Sequence, residues 1–473
     1  MAEKLLLLEF NEICSSLIEP WMAQGLLPNF ARFYGDSEVF TTKADVTDTK
    51  NLEPWIQWYS LHSGIPFDQH GVFHLTDGPS ANYDDIWSML IRQGYRVGNF
   101  GSMNAAAIQK DGSFFVADPW TTSESAYPDS LQVFQDFVQS QVQEYTNAKN
   151  GLGLGDLARF SWFLATHGLS FKTAQNAARQ LVSERVGGSD RRWKRAFIFD
   201  WLGFDACRHF VHSHQPVFAT FFSNSVAHCQ HAYWRCMEPD AFTTKPPQKE
   251  IDNFGDAIFV SYKNMDELLG EFFKLEAQGY TLVLASALSQ QPFLKLEGIG
   301  GQRFYRMHDA RQFLGALGID FVDIQPVMTH QYMARFESSE VRDNAIKILK
   351  GFRCANDVVF QADASGETSL YLGNKLRTVV PDDALLAHED GRFEEMPFLD
   401  VFYLIDETKS GCHHPDGLLW LKSGVHRVQS ESVSILDVVP TILDWFGIED
   451  KHVARHSLTG RSLLRKSSQP RAA

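Results

Sequence analysis

The stretch Asn51–Val72 reads NLEPWIQWYSLHSGIPFDQHGV. Pro54 suits the first turn of a helix, where its missing N–H is no loss, and an acidic Glu53 beside it suits a helix N-terminus. Trp55–His62 then reads as the start of a helix, with Ser63-Gly64, Pro66 and His70-Gly71 punctuating the residues after it. Upstream, LLLLEF (Leu5–Phe10) reads as a buried first strand, followed by a helix from Ser16 to Gln24 closed by Gly25. Downstream, helical patterning around DIWSML runs from Tyr83 to Arg92, ends at Gly94 and gives way to the strand YRVGNFG. Strand and helix signals alternating in this rhythm argue a parallel sheet with crossover helices.

From about Asp118 to Arg195 the pattern changes to Gln-rich and Ala-rich helical periodicity (LQVFQDFVQSQVQEY, LGDLARFSWFLA, TAQNAARQLV), which predicts a helical insertion. PVFATFF (Pro216–Phe222) returns to the core, and a long amphipathic helix from Asp256 to Ala277, stopped by Gly279, leads to the strand YTLVLAS. Between Gly298 and about Glu407, a Gly-rich loop, a helix near Ser339–Lys350 and short strands such as DVVFQA and SLYLG predict a smaller α+β insertion. The expected division is core at 1–117, helical insertion at 118–200, core at 201–297, α+β cap at 298–407 and core at 408–473.

A formal charge of -15 argues against a nucleic-acid backbone as partner. The six cysteines (14, 207, 229, 236, 354, 412) form no CxxC pair, so neither a zinc ribbon nor a disulfide framework is indicated, and a reducing, cytoplasmic setting is expected. The N-terminal apolar run is only Leu5–Leu8, too short for a signal segment, and no stretch reaches the length of a membrane span.

Five segments carry chemistry when taken together: LLLLEFNE at the first strand, LPNF (Leu27–Phe30), FFSNSVAHCQHAYW, GCHHPDGLLWLKSG and the closing SILDVVPTILDWFGI. With the SG, P and HG of the opening stretch they resemble the alkaline phosphatase superfamily, which includes nucleotide pyrophosphatases, phosphonoacetate hydrolases and sulfatases. The resemblance spans residues 1–110, 215–297 and 405–465 in outline. It implies a doubly wound α/β/α sandwich and a hydrolase or transferase acting on a phosphate, phosphonate or sulfate ester.

The departures from the family pattern are systematic. The family's nucleophilic Thr or Ser falls here on Pro54. The family's second-metal ligands, a first Asp and an Asp-His dipeptide, fall on Asn11 and on Ala287-Leu288. The other metal site matches better, at Asn224, His228 and His414, with His413 adjacent and His231 three residues further along a helix. These residues imply one divalent cation at most, zinc or alternatively manganese or magnesium, or none; Asn in place of a carboxylate weakens any such site.

Glu9, Asn11, Asn51 and Glu53 are the catalytic candidates, expected to converge where strands end. For Glu53 the competing role is helix capping, and Thr47 or Thr49 would be a displaced nucleophile. Arg303, Arg306 and His308 in GGQRFYRMHD are candidates for binding the substrate's anionic group, whereas the Arg191–Arg195 run reads as a solvated face or an oligomer contact. The expected partner is a small anionic ester, with a homodimer as the oligomer allowed for. The alternative function is a non-catalytic descendant that binds an anionic small molecule or glycan intermediate.

Overall fold

The computed structural model describes residues 4–48, 51–146, 153–187, 189–326, 330–405, 409–449 and 455–464. At its centre lies β1 (Lys4–Phe10), whose side chains alternate between two hydrophobic clusters: Leu6, Leu8 and Phe10 enter one, Leu5 and Leu7 the other. A strand apolar on both faces must be covered on both. Around it stand β2 (Ser37–Lys43), β3 (Val97–Phe100), β4 (Phe114–Val116), β5 (Phe218–Ser223) and β6 (Tyr280–Ser286). Among the described residues they form a nine-stranded sheet in the order Arg427–Val428, β2, Asp416–Lys422, β6, β1, β5, β3, β4, with Val433–Ser434 also on β2. Neighbours from β6 to β4 run parallel. Asp416–Lys422 runs antiparallel between β2 and β6, so the sheet is mixed where the sequence predicts a parallel one.

α1 (Ser15–Ala23), α2 (Pro28–Gly35) and the helices Arg195–His214, Ser225–Met237 and Ala257–Phe272 pack on one face. α3 (Pro54–Ser63), Ile86–Arg92 and Val438–Trp445 pack on the other, completing the α/β/α sandwich. The LPNF element has a physical role in this packing. Asp266, on the helix Ala257–Phe272, accepts from the backbone N–H groups of Asn29 and Phe30 at 2.9 and 2.8 Å, placing an anion on the N-terminus of α2.

Phe134, Phe160 and Phe163 from the helices Gln132–Thr146 and Leu154–Thr166 join the first cluster. A separate hydrophobic cluster runs from Tyr305 to Phe402, built on two four-stranded antiparallel sheets and the helix Ser339–Lys350. This cap leaves the core after β7 (Ser289–Pro292) and returns at the strand Gly411–His414, and the two pair antiparallel with Gln290 opposite His413. No helix among the described residues is long and apolar enough to cross a membrane.

Candidate metal centre

β1 ends at Phe10, and the next two residues turn the chain out of the sheet. The Asn11 amide donates to Asn224 Oδ1 at 2.7 Å and to Glu12 Oε1 at 3.0 Å, and its oxygen accepts from Trp58 Nε1 at 2.7 Å. Glu12 comes next with φ 61°, in the left-handed region that costs a residue with a side chain about 1–2 kcal/mol. Its partners hold it there: Gln290 Nε2 donates to Oε2, His231 Nε2 lies 3.1 Å from Oε2, and His413 Nε2 lies 3.7 Å from Oε1. Burial alone would push this carboxyl up. His413, His231 and the hydrogen bonds from His231 and Gln290 outweigh burial and hold it at about 2.

The two imidazoles are fixed by what their other nitrogens face. His413 Nδ1 lies 2.6 Å from the Leu52 carbonyl oxygen, and His231 Nδ1 lies 3.4 Å from that of Gly411. A carbonyl oxygen only accepts, so in the neutral ring the proton belongs on Nδ1 and the Nε2 lone pair is free for a cation; without a cation, a proton on His231 Nε2 donates to Glu12 Oε2. Burial holds His413 at about 4, leaving it neutral at pH 7. A carboxylate and two imidazoles thus offer ligand atoms all within 4.8 Å of one another. Three acceptors facing one space repel unless a cation or an added proton sits among them, and a two-His, one-Glu set suits zinc with a position left open.

Glu53 completes the rim. It occupies the N-cap position of α3, yet its carboxylate makes no capping hydrogen bond and lies instead 3.4 Å from His413 Nδ1. Burial raises it to about 7, against the attraction of Lys409 and His231. Beneath the cluster, Gln230 Nε2 donates to the Glu12 carbonyl at 2.8 Å, and Gln230 Oε1 accepts from Tyr262 Oη at 2.8 Å and from Cys14 Sγ at 3.2 Å. Burial pushes the Cys14 thiol up to about 12, so it is no nucleophile.

The other candidates lie elsewhere. Glu9 points to the opposite side of the sheet from Phe10 and pairs in the core with His62 Nε2 at 2.9 Å, so it does not converge with Asn11 and Glu53. Asn51 donates locally to Asp48 Oδ2 at 2.9 Å. Asn224 is engaged by Asn11, and His414 Nδ1 accepts from the Asp416 N–H at 3.2 Å. His228 is half-buried and lowered to about 4 by burial and by His231. Thr49 lies outside the described residues, while Ala287 and Leu288 are fully buried among apolar side chains. In the cap, Arg306 is buried against Tyr332, His308 is exposed with Nε2 3.1 Å from the Leu399 carbonyl oxygen, and Arg303 is half-buried.

Glu12 and Gln290 are absent from the sequence-based candidates. For Glu12 a signal exists: alternation along LLLLEF sends Glu9 to the face of Leu5 and Leu7, leaving Glu12 as the acid beyond the strand end. Gly411 shows how tightly the cluster is framed, since a Cβ there would collide with Gln290 Oε1 and the Gln230 carbonyl oxygen. Gly411→Ala should therefore push the His413 strand off the helix Ser225–Met237, costing about 1–3 kcal/mol in urea unfolding and weakening zinc binding in calorimetric titration.

No protein-family model matches the chain, and no curated protein matches it in sequence. Similar solved structures exist. Wild-type alkaline phosphatase PafA matches at 13% identity over 98% of both chains, with a TM-score of 0.46. A murine ectonucleotide pyrophosphatase/phosphodiesterase 5 in complex with AMP matches at 11% identity over 97% of both chains, TM-score 0.40. Phosphonoacetate hydrolase from Sinorhizobium meliloti 1021, in complex with phosphonoacetate, matches at 12% identity over 93% of this chain and 94% of that one, TM-score 0.38.

Proposed function

We propose that this chain is a hydrolase or transferase of phosphate, phosphonate or sulfate esters, working with one divalent cation held by Glu12, His231 and His413. The observation that carries this reading is the convergence of one carboxylate and two imidazole lone pairs within 4.8 Å, each imidazole oriented by a backbone carbonyl. A cation bound there supplies Lewis acidity toward an ester oxygen and a lowered pKa for water. Glu53, at about 7 and beside His413, takes a proton from the attacking water or hydroxyl and returns it. Asn11 holds the Glu12 carboxylate in place, and the nucleophile is water or a substrate hydroxyl because Pro54 offers none. Six cysteines without disulfides support a reducing, cytoplasmic setting.

Metal analysis and a panel of aryl phosphate, phosphodiester, phosphonate and sulfate esters test the reading. One equivalent of zinc and turnover of one ester class are expected. Zinc without turnover would leave a binding protein, and neither zinc nor turnover would overturn the reading. Glu53 must be deprotonated to act as base, so the rate should rise with pH through about 7. Glu53→Gln should erase that limb and lower kcat by about 10²–10⁴.

A further inference from the structure

The helix Phe171–Gly187 of the helical insertion is built inside out. A helix lying on a protein surface turns its apolar stripe to the core and its polar residues to water. Here the residues turned inward are Thr173, fully buried, and Gln180, 9% exposed, whereas Phe171, Leu181, Val182 and Val186 are 82, 59, 60 and 83% exposed. These four are its only large apolar residues, and none joins a hydrophobic cluster of the described residues.

The anchorage of this helix is polar instead. Asp205, on the helix Arg195–His214, accepts from the Ser170 N–H at 2.8 Å, and the Ser170 and Thr173 hydroxyls meet at 2.9 Å. Lys172 reaches Glu267 at 3.2 Å, and Gln180 Nε2 donates to the Arg191 carbonyl oxygen at 2.7 Å. The helix is thus held in place without its large apolar side chains, which stay in water.

Those side chains share a face. At 3.6 residues per turn, Phe171, Ala178, Val182 and Val186 fall within an arc of about 80° and extend about 22 Å along the axis. Lys172 and Arg179 flank that arc on one side and Arg185 on the other, all exposed. The following turn, Ser189–Lys194, adds the exposed Arg191 and Arg192, and Arg195 fixes it to the helix by pairing with both carboxylate oxygens of Glu184. Residues 171–195 carry seven Lys or Arg against two acidic residues, a surplus of five positive charges in a chain of formal charge -15.

Charge decides what covers this face. An isologous contact with a second copy would set the basic fringe against itself. A bilayer with anionic headgroups accepts both parts, taking the apolar arc into the acyl boundary and the arginines at the level of the phosphates. Such a surface repels an acidic body and attracts this face, which orients the approach. We propose that the helix Phe171–Gly187, with Arg191 and Arg192, docks the chain on an anionic lipid surface, lying in its plane with Phe171, Val182 and Val186 inserted. This docking is independent of the ester reading.

Sedimentation of the full chain with vesicles of phosphatidylcholine, or of phosphatidylcholine mixed with phosphatidylserine, tests the proposal. Binding to the mixed vesicles should be at least about tenfold tighter than to the neutral ones and should weaken as salt is added. Val182→Gln with Val186→Gln should weaken it by about tenfold or more, through lost apolar burial. Arg179→Gln with Arg185→Gln should weaken it by about twentyfold, at roughly fivefold for each charge. All four side chains are exposed, so both double variants should keep the wild-type urea midpoint, which separates lost docking from lost folding. Equal binding to the two kinds of vesicle, binding to neither, or binding that both variants retain would overturn the proposal. So would a concentration-dependent dimer that Val182→Gln with Val186→Gln dissolves in a chain that ignores vesicles, because the face would then join two copies.

Discussion

Glu12→Gln should abolish zinc binding by the proposed site. The substitution keeps the side chain's size while removing its negative charge, and its amide nitrogen must face one of the two donors, Asn11 Nδ2 or Gln290 Nε2, that the carboxylate accepts from. Zinc affinity should fall by more than about a hundredfold, beyond the loss caused by residues that merely orient a ligand. The stability consequence is separable. At a free zinc concentration of a hundred times Kd the wild type should gain about 2.7 kcal/mol against urea, and the variant nothing.

Without metal the pH dependence carries its own signature. Glu12 is held at about 2 in the fold, below its ordinary 4.5, so its contribution is complete above 4.5 and is lost as the pH falls from 4.5 toward 2. That contribution is of order 3 kcal/mol from a shift of this size. Glu12→Gln should flatten acid unfolding in that window. Between 6.5 and 4 both proteins should still weaken with acid, because the half-buried His413 and His228, each at about 4, resist a proton that the unfolded chain accepts.

His62→Leu should cost about 3–5 kcal/mol in urea unfolding without changing zinc content. Glu9 and His62 meet at 2.9 Å with side chains 0% and 2% exposed, and the imidazole lies between Trp58 and Trp87. Removing the imidazole leaves Glu9 with no partner, since its Oε2 already has none among the described residues. The double substitution Glu9→Met with His62→Leu should recover most of the loss, because two apolar side chains of similar volume leave no orphaned charge. Recovery by the pair, with zinc binding unmoved, marks these residues as core packing. If His62→Leu instead lost zinc at full stability, Glu9 would return to the catalytic candidates.

The strands and helices were readable because burial on two faces writes itself into composition: four leucines in a row split cleanly between the two sides of the sheet. Helix ends were readable where a residue had a local reason, as with Pro54 at the start of α3, or Gly279 at φ 84° after the helix Ala257–Phe272 tightens to Gln278. The reversed strand was not, since GLLWL alternates in the same way in either direction and only the connection decides. The site was half readable. The motif frame drew attention to His228 and His414, with His231 and His413 as neighbours, but which of each pair reaches Glu12 depends on helix rotation and strand register. On the strand Gly411–His414 neighbouring side chains point to opposite sides, and pairing with Gln290 selects His413. Alternation along the strand pointed past Glu9 to Glu12, but its left-handed backbone, which a glutamate does not advertise, concealed where the side chain goes.

The ribbon of β7 and Gly411–His414 is a β-hairpin whose loop has grown into a domain. Loop-closure entropy rises slowly, by about 0.6 kcal/mol for each doubling of length, so the chain between Pro292 and Gly411 is nearly free to lengthen, shorten or be exchanged. What it cannot do is move the two strands apart, because Gln290 and His413, one from each strand, hold the same carboxylate on one face of the ribbon. The Glu12 cluster and the cap's composition are therefore separately heritable: a descendant can acquire a new cap without rebuilding the residues around Glu12.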